Sequence, residues 1–408
     1  MRPRAFAPIW LVLLATVLCP LSSTPTHQHN PTPTSESLAV VSFDLFHNRV
    51  YLPVQVNGQA TISMVLDTGA AYSGLSETAA QTLHLKLSGK AQLIGNGESN
   101  QKIALARNVH FGVGKAEIVE KAVAIVPFQQ LEASEGRSIA GVLGVNLFRK
   151  YVVVIDYAAK RLSLFAPDTF VYRGSGVVVP LRFKGAALFQ AAVDLPSQPP
   201  LSVELAIDSG TYSALRLYHP FSEKHGLARQ FENKGVSSFG FGIGGEFSEK
   251  LLRIGHLDIG GIQIPAPLIS ISEADHGATA SSSYDGTIGG AILRRFTVTL
   301  DYSRAQMILE PNTLLDAPFD ANVSGLILSA SGPDLKTISI HHVIADTPAA
   351  RAGIREGDVL LTLSGENAGH LGLEAVRTLL CQPGVYHLGL QRGSTNLDVD
   401  ITDASPQH

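Results

Sequence analysis

Two short stretches, Val65–Ala70 (VLDTGA) and Ala206–Thr211 (AIDSGT), each place an aspartate before a hydroxyl residue and a glycine. The two aspartates, Asp67 and Asp208, lie about 140 residues apart, each at the end of an apolar run. A single tripeptide of this kind arises easily by chance in a chain of this size. Two copies in matched surroundings indicate an internal repeat.

The surroundings of the two stretches also match. Each is followed by a glycine-bounded apolar element, at Gly141–Gly144 and Gly286–Gly289. A basic pair comes next, and then an apolar strand-like run that ends at Asp156–Tyr157 in the first copy and Asp301–Tyr302 in the second. A repeat of this length exceeds those of solenoids and propellers, so we predict two similar lobes.

Composition bounds the class of protein. The chain has 408 residues, of which 16% are charged and 45% hydrophobic, with 38 glycines. This composition and the short alternating apolar runs predict a mainly β protein of two or three domains. The formal net charge of -4 offers no basic surface, so we expect no nucleic-acid partner.

The N-terminus has the layout of a signal peptide. Arg2 and Arg4 precede an apolar stretch and small residues, which predicts a signal peptide over residues 1–23 and a Pro/Thr-rich flexible linker over residues 24–40. We expect an exported protein, periplasmic or extracellular, and an uncleaved leader that tethers it to the membrane is the alternative. Cleavage would leave Cys381 as the one cysteine, which excludes an internal disulfide.

The strand pattern predicts an N-terminal lobe over residues 41–170 and a C-terminal lobe over residues 171–315. Both aspartates fall at strand-to-turn junctions, where the following glycine permits a tight turn. A helix is predicted from Glu77 to Leu83, directly after the first motif.

With these motifs in place, residues 41 to 312 resemble the two lobes of a pepsin-like aspartic protease, or a retropepsin-like dimer fused into one chain. The resemblance implies a bilobal acid protease fold in which Asp67 and Asp208 form the catalytic pair. The pair would activate a water that hydrolyses a peptide bond of a protein or peptide substrate. It also implies no cofactor and no required metal, and a monomer suffices because both lobes are in one chain.

The resemblance assigns supporting roles around the pair. Thr68 and Ser209 would hydrogen-bond across the lobe interface, and Gly69 and Gly210 would allow close backbone approach. Thr211 keeps a hydroxyl that would hydrogen-bond its carboxylate, whereas Ala70 lacks one. Loss of a hydrogen bond to the charged form raises a carboxyl pKa, so we predict a pH optimum less acidic than that of pepsin.

Two glycine-rich turns are candidates for substrate flaps. One is Gly95-Asn96-Gly97, and the other is Gly242-Ile243-Gly244 in the second lobe; ordinary surface hairpins are the alternative. Gly240, Gly242 and Gly245 also satisfy the spacing of a dinucleotide-binding loop. The surrounding βαβ pattern is missing, so nucleotide binding is not expected.

Residues 321–404 resemble a PDZ domain, and Gly325-Leu326-Ile327-Leu328 would be its peptide-binding loop, with a peptide as ligand of the groove. Ile327 stands where a second glycine is usual. His341 and His342 suggest a metal, but neighbouring strand residues face opposite sides and no third ligand is evident. We therefore expect these histidines to line the surface or the groove.

The favoured function is an exported aspartic endopeptidase whose PDZ domain recruits substrate or regulates the enzyme by binding peptides. The alternative is a catalytically silent protease-like scaffold that acts as a PDZ peptide-binding protein. Both aspartates and both hydroxyl partners are intact, which favours the enzyme.

Overall fold

The computed structural model describes residues 36–95, 97, 101–196, 198–232, 235–322 and 324–403. The predicted signal peptide and most of the predicted linker lie outside these residues. The first strand, β1 (Ala39–Ser42), begins inside the last part of the predicted linker. Among the described residues, no helix has the length and apolar character needed to cross a membrane.

The N-terminal lobe consists mainly of short strands. They are β2 Asp44–Phe46, β3 Arg49–Val56, β4 Ala60–Leu66, β5 Gly74–Ser76, β6 Leu87–Leu93, β7 Gln101–Ala106, β8 Val109–Val113, β9 Ala116–Glu120, β10 Val123–Val126, β11 Gly141–Leu143, β12 Val152–Asp156 and β13 Arg161–Phe165. The helices are α1 Glu77–Thr82, α2 Gln129–Glu135 and α3 Asn146–Lys150. The predicted helix from Glu77 is confirmed, and Ser76 caps it by accepting the Ala79 N–H at 3.0 Å.

The C-terminal lobe repeats this composition. Its strands are β14 Val177–Pro180, β15 Arg182–Lys184, β16 Ala186–Val193, β17 Leu201–Ile207, β18 Leu215–Leu217, β19 Val236–Gly242, β20 Gly245–Arg253, β21 His256–Ile259, β22 Ile262–Pro265, β23 Leu268–Ser272, β24 Gly286–Ile288, β25 Phe296–Asp301 and β26 Gln306–Pro311. The helices are α4 His219–His225, α5 Leu227–Gln230 and α6 Gly290–Leu293, with 3-10 turns at Ala278–Ala280 and Tyr302–Arg304.

The two lobes share one strand order, which is the structural form of the sequence repeat. The first sheet runs β6-β7-β10-β5-β11-β4-β3-β8-β9, with β2 paired to β3. The second runs β19-β20-β23-β18-β24-β17-β16-β21-β22, with β15 paired to β16. Each strand of one lobe therefore has a counterpart at the same position in the other.

A third sheet joins the lobes, in the order β1-β13-β12-β25-β26-β14. Its central strands, β12 and β25, are the two matching apolar runs of the sequence, and they pair antiparallel with Val153 opposite Leu300. Every residue of these two strands is buried. The lobes share one continuous hydrophobic core, so they are held in a fixed relation by apolar burial.

The residues after Asp320 form a separate domain with its own hydrophobic cluster. Its strands are β27 Leu326–Ser331, β28 Thr337–Val343, β29 Val359–Leu363, β30 Glu366–Asn367, β31 Gly384–Arg392 and β32 Thr395–Asp403. The sheet order is β27-β28-β29-β31-β32, with β30 on β29. The helices are α7 Pro348–Arg351, α8 Ala368–Leu371 and α9 Leu373–Leu380.

Candidate active site

The two motif loops lie at equivalent places in the two lobes. Strand β4 ends directly before Asp67, whose N–H donates to Leu143 O at 3.0 Å, and β17 ends directly before Asp208, whose N–H donates to Ile288 O at 2.9 Å. These acceptors belong to β11 and β24, the glycine-bounded elements of the repeat. In each lobe, this hydrogen bond extends the pairing of the two strands by one residue, up to the aspartate. The two aspartates are therefore held in equivalent positions.

The two carboxyl groups lie next to each other and pack against Gly69 and Gly210. A methyl group built on Gly69 would lie 2.9 Å from Asp208 Oδ1 and 3.2 Å from Asp67 Oδ1. A methyl group built on Gly210 would overlap the Asp67 carboxyl. Both glycines therefore lack a side chain for a steric reason, and the structure brings Asp67 and Asp208 into one site.

Backbone donors hold the carboxylates unequally. Asp67 Oδ1 accepts the N–H groups of Gly69 at 2.7 Å and Ala70 at 3.0 Å, whereas Asp208 Oδ1 accepts that of Gly210 at 3.1 Å. A methyl group on Gly69 would contact both carboxyls, so the two groups lie side by side. Two carboxyls this close hold one proton between them more readily than none.

Thr68 and Ser209 link the two loops by hydrogen bonds, as the family resemblance implied. Thr68 Oγ1 donates to Ile207 O at 2.7 Å and accepts the Ser209 N–H at 3.0 Å. Ser209 Oγ donates to Leu66 O at 2.8 Å and accepts the Thr68 N–H at 3.0 Å. Both side chains are buried, so four hydrogen bonds fix the relative position of the carboxyls without solvent competition.

Replacing Thr68 by Val is expected to destabilise the protein by about 1–3 kcal/mol, because Ile207 O and the Ser209 N–H would lose buried partners. Urea unfolding measures this change. The matched control is Thr82→Val, which removes an exposed hydroxyl bonded to Thr78 O and should cost less than about 0.5 kcal/mol. Equal costs for the two variants would contradict a structural role for the cross-lobe network.

Burial is the main cause of an unusual titration at this site. It raises the pKa of Asp67 to about 7, with a further rise from the negative charge of Asp208. The N–H groups of Gly69 and Ala70 and the charge of Arg49 oppose this rise. Burial also raises the pKa of Asp208, but the charges of Arg216 and Arg49 act against it. We infer that Asp67 carries the shared proton and Asp208 the charge.

The pair, which titrates as a unit, is expected to lose its shared proton near pH 7. We therefore expect kcat/KM for a short peptide to fall on the alkaline side at about pH 7. A fall near pH 5 would contradict the pKa of Asp67.

The free energy of unfolding should also decrease as the pH rises from 3.8 to about 7, since the folded state binds this proton more tightly than the unfolded chain.

The predicted hydroxyl contact of Thr211 is not what the structure shows. Thr211 Oγ1 lies 3.5 Å from Ser213 Oγ, and within the described residues no hydrogen bond joins it to Asp208. The side chain is buried. The difference between the carboxylates arises from backbone donors and nearby arginines, and not from the Ala70 and Thr211 side chains.

Two buried arginines near the pair were missed by sequence reasoning. Arg49 Nε donates to Gly210 O at 2.6 Å, and its guanidinium forms an ion pair with Glu135. Arg216 pairs with Glu249 at 3.3 Å. The sequence offered one signal for such a residue: Arg216 lies between two leucines in β18, and a charged residue in an apolar strand is expected to have a charged partner when it is buried.

The two candidate flaps are hairpins whose tips touch. Strands β6 and β7 carry the first, and β19 and β20 carry the second, with Gly242 opposite Gly245 across a two-residue turn of Ile243 and Gly244. The Gly97 N–H donates to Ile243 O at 3.0 Å, while Asn96 lies outside the described residues. The G-x-G-x-x-G spacing thus belongs to a β-hairpin, in agreement with the rejection of a dinucleotide loop.

The C-terminal domain is docked on the N-terminal lobe. Helix α2 packs against β27, and a methyl group built on Gly136, the residue that ends α2, would lie 2.5 Å from the Leu373 Cβ of α9. The His47 N–H donates to Glu374 Oε1 at 2.7 Å. Strand β27, which contains most of the predicted peptide-binding loop, and helix α9 therefore both contact the N-terminal lobe.

The predicted peptide-binding loop is largely strand. Leu326, Ile327 and Leu328 open β27, and only Gly325, at φ +82°, precedes it. The Leu326 N–H donates to Ser324 Oγ at 3.2 Å, and Arg377 of α9 donates to Leu328 O at 2.8 Å. The side chains of Leu326 and Leu328 are buried in the domain core, and peptide binding by this segment stays a prediction.

His341 and His342 do not face opposite sides. Both approach Glu246 of β20, with His341 Nε2 at 2.8 Å from Oε2 and His342 Nε2 at 2.9 Å from Oε1. The alternation argument fails at a β-bulge, where Ile327 pairs with His342 and Leu328 with Ile340, which leaves His341 as the extra residue. The third candidate ligand, which sequence reasoning lacked, is Glu246 of the C-terminal lobe.

Comparison with known proteins bears on the first lobe. Residues 52–147 match the family model described as aspartyl protease. This segment is similar to aspartyl proteases. It contains Asp67 and the glycine-bounded element of β11, but it covers less than half of the chain, and no curated protein matches the chain. Among solved structures, the aspartic proteinase from Irpex lacteus is similar at a TM-score of 0.43 and 14% identity, covering 68% of this chain and 98% of that chain.

Proposed function

We propose that the protein is an exported aspartic endopeptidase of pepsin-like fold that hydrolyses peptide bonds at Asp67 and Asp208. The observation that carries the proposal is that these two carboxyls lie next to each other against Gly69 and Gly210. Each lobe contributes one carboxyl, and the two lobes have the same strand order. The aspartyl protease match over residues 52–147 supports the same assignment for the first lobe.

The different protonation of the two carboxyls assigns a separate proton-transfer step to each. A water bound between the carboxyls would give a proton to the Asp208 carboxylate as its oxygen attacks the substrate carbonyl carbon. Asp67 would give its proton to the carbonyl oxygen, which yields a neutral tetrahedral diol. Collapse of the diol then returns a proton to Asp67 and transfers the proton on Asp208 to the leaving nitrogen, so both groups end as they began.

The touching hairpins would form the roof of the substrate site. Glycines at their tips permit close approach, since a methyl group on Gly95 or Gly97 would overlap the backbone of Ile243 or Gly244. A peptide would then enter the site only after these tips part. We propose that both hairpins act as flaps, and that flap opening precedes binding.

We propose a PDZ-like regulatory role for the C-terminal domain. Strand β27, which contains most of the predicted peptide-binding loop, and helix α9 both contact the N-terminal lobe, which supports regulation over capture of a free peptide end in this arrangement. The domain also contacts the second flap through Glu246. A silent scaffold that only binds peptides is the alternative, and no feature of the paired carboxyls favours it.

The test is cleavage of a peptide library by the purified protein between about pH 3 and pH 8. Cut peptides should appear with a maximum on the acid side of pH 7, and the products should be identified by mass spectrometry. Lack of cleavage of any peptide across this range would contradict the proposal and favour the scaffold.

A further inference from the structure

Two histidines of the C-terminal domain and one glutamate of the second flap form a compact cluster. The ligand atoms of Glu246, His341 and His342 all lie within 4.8 Å of one another. The side chains are 30%, 39% and 23% exposed, which leaves the cluster open to a small ion from solvent. The cluster spans two domains, because Glu246 belongs to β20 and the histidines to β28.

The bulge in β28 makes this cluster possible. On a regular strand, adjacent side chains point to opposite faces, so one imidazole would turn away from Glu246. The bulge places both rings on the same side, with centroids 4.6 Å apart. Phe239 and Phe241 contact the rings of His342 and His341 at centroid distances of 4.2 Å and 5.3 Å, and this packing fixes their orientation.

A second carboxylate orients His342. Its Nδ1 lies 2.7 Å from Glu356 Oε1, while its Nε2 faces Glu246. Metal-binding histidines usually donate the N–H of the other ring nitrogen to a carboxylate, which sets the tautomer and strengthens the ligand. Glu356 therefore stands where such a partner is required, in addition to the three ligands.

We propose that Glu246, His341 and His342 form a Zn²⁺ site that ties the second flap to the C-terminal domain. Two imidazoles, one carboxylate and a water make a common zinc ligand set, whereas Mg²⁺ and Ca²⁺ prefer oxygen ligands alone. At zinc bond lengths of about 2.0–2.1 Å, tetrahedral ligand atoms lie about 3.3 Å apart. The separations of 2.8 and 2.9 Å need to open by only a few tenths of an ångström.

The bound ion would restrict the flap. Glu246 is the second residue of β20, immediately after the turn of Ile243 and Gly244 whose tip contacts Gly97. An ion shared with β28 adds a coordinate link to this hairpin, so opening the flap would require the link to break. This consequence for substrate entry rests on the proposed peptidase function, whereas metal binding does not.

The experiment titrates the full chain, carrying Asp67→Asn to prevent self-cleavage, with Zn²⁺ at neutral pH in competition with a chromogenic chelator. One equivalent should bind. Glu246→Gln and His342→Ala should each weaken binding at least tenfold, and Glu356→Gln about tenfold. The matched control is His387→Ala, an exposed histidine paired with Asp400 in the same domain, which should bind as tightly as the parent.

Zn²⁺ should also slow amide hydrogen exchange over residues 236–253 in the parent and not in Glu246→Gln. Absence of saturable binding, or unchanged affinity in all three site variants, would overturn the proposal. In the protein with Asp67 intact, Zn²⁺ should lower kcat/KM for a peptide several-fold, and a chelator should restore it. If no peptide is cut at all, only the proposed function fails, because the binding and exchange measurements do not depend on it.

Discussion

Replacing Asp208 by Asn is expected to lower kcat/KM for peptide cleavage by about a thousandfold or more, and Asp67→Asn should have a similar effect. An amide cannot take a proton from the attacking water, and it cannot give one to the substrate carbonyl as a carboxylic acid does. Because the two groups share one proton, the double variant should be little worse than either single variant.

The matched control for this prediction is Asp168→Asn, an exposed aspartate of the N-terminal lobe that lies outside the site. It should cleave peptides at the rate of the unmodified protein. Initial rates at several peptide concentrations separate kcat from KM, and circular dichroism checks that each variant is folded. Full activity in either site variant would remove the carboxyl pair from the mechanism.

Gly210→Ala is expected to lower kcat/KM by about a hundredfold, because the added methyl group overlaps the Asp67 carboxyl and must push it out of line. The carboxyl is held by the Gly69 and Ala70 N–H groups, so it has little room to move without losing them. A cost in stability of about 1–3 kcal/mol should accompany the loss of activity.

The control for this steric effect is Gly112→Ala in β8. A methyl group there lies 3.6 Å from Gln55 Cβ, which is an ordinary contact, so activity should not change. Neither glycine has a positive φ, and the comparison therefore isolates crowding of the carboxyl from backbone strain. Activity of Gly210→Ala close to that of the unmodified protein would mean that the carboxyls are not held where the structure has them.

Local patterns predicted the parts of the fold that repeat. The Asp67 and Asp208 loops, the elements at Gly141 and Gly286 and the two apolar runs that pair at the interface were all readable, because each pattern occurs twice at similar spacing. The structure gives the loops and the glycine-bounded elements equivalent positions in two sheets of one strand order, and it pairs the two apolar runs in the sheet that joins the lobes. Helix α1 was predicted from its local pattern, and in the structure Ser76 caps it.

Features that depend on packing between distant segments could not be predicted from the sequence. The charge balance of the pair depends on Arg49 of the N-terminal lobe as well as on Arg216 of the C-terminal lobe. The bulge at His341 has no local marker such as a glycine, so alternation predicted the wrong face. The contact of α2 with β27 joins segments almost 200 residues apart, and neither segment has a sequence pattern that predicts it.

The central claim is that two lobes form one peptidase site, and titration with a statine-type inhibitor tests it most directly. The hydroxyl of such a compound occupies the place of the attacking water, so it should bind far more tightly than a substrate peptide. We expect one equivalent per chain by calorimetry, complete loss of cleavage at that point, and affinity at least a hundredfold weaker in Asp67→Asn and in Asp208→Asn. Two equivalents per chain, or unchanged affinity in either variant, would contradict a single site shared by the two lobes.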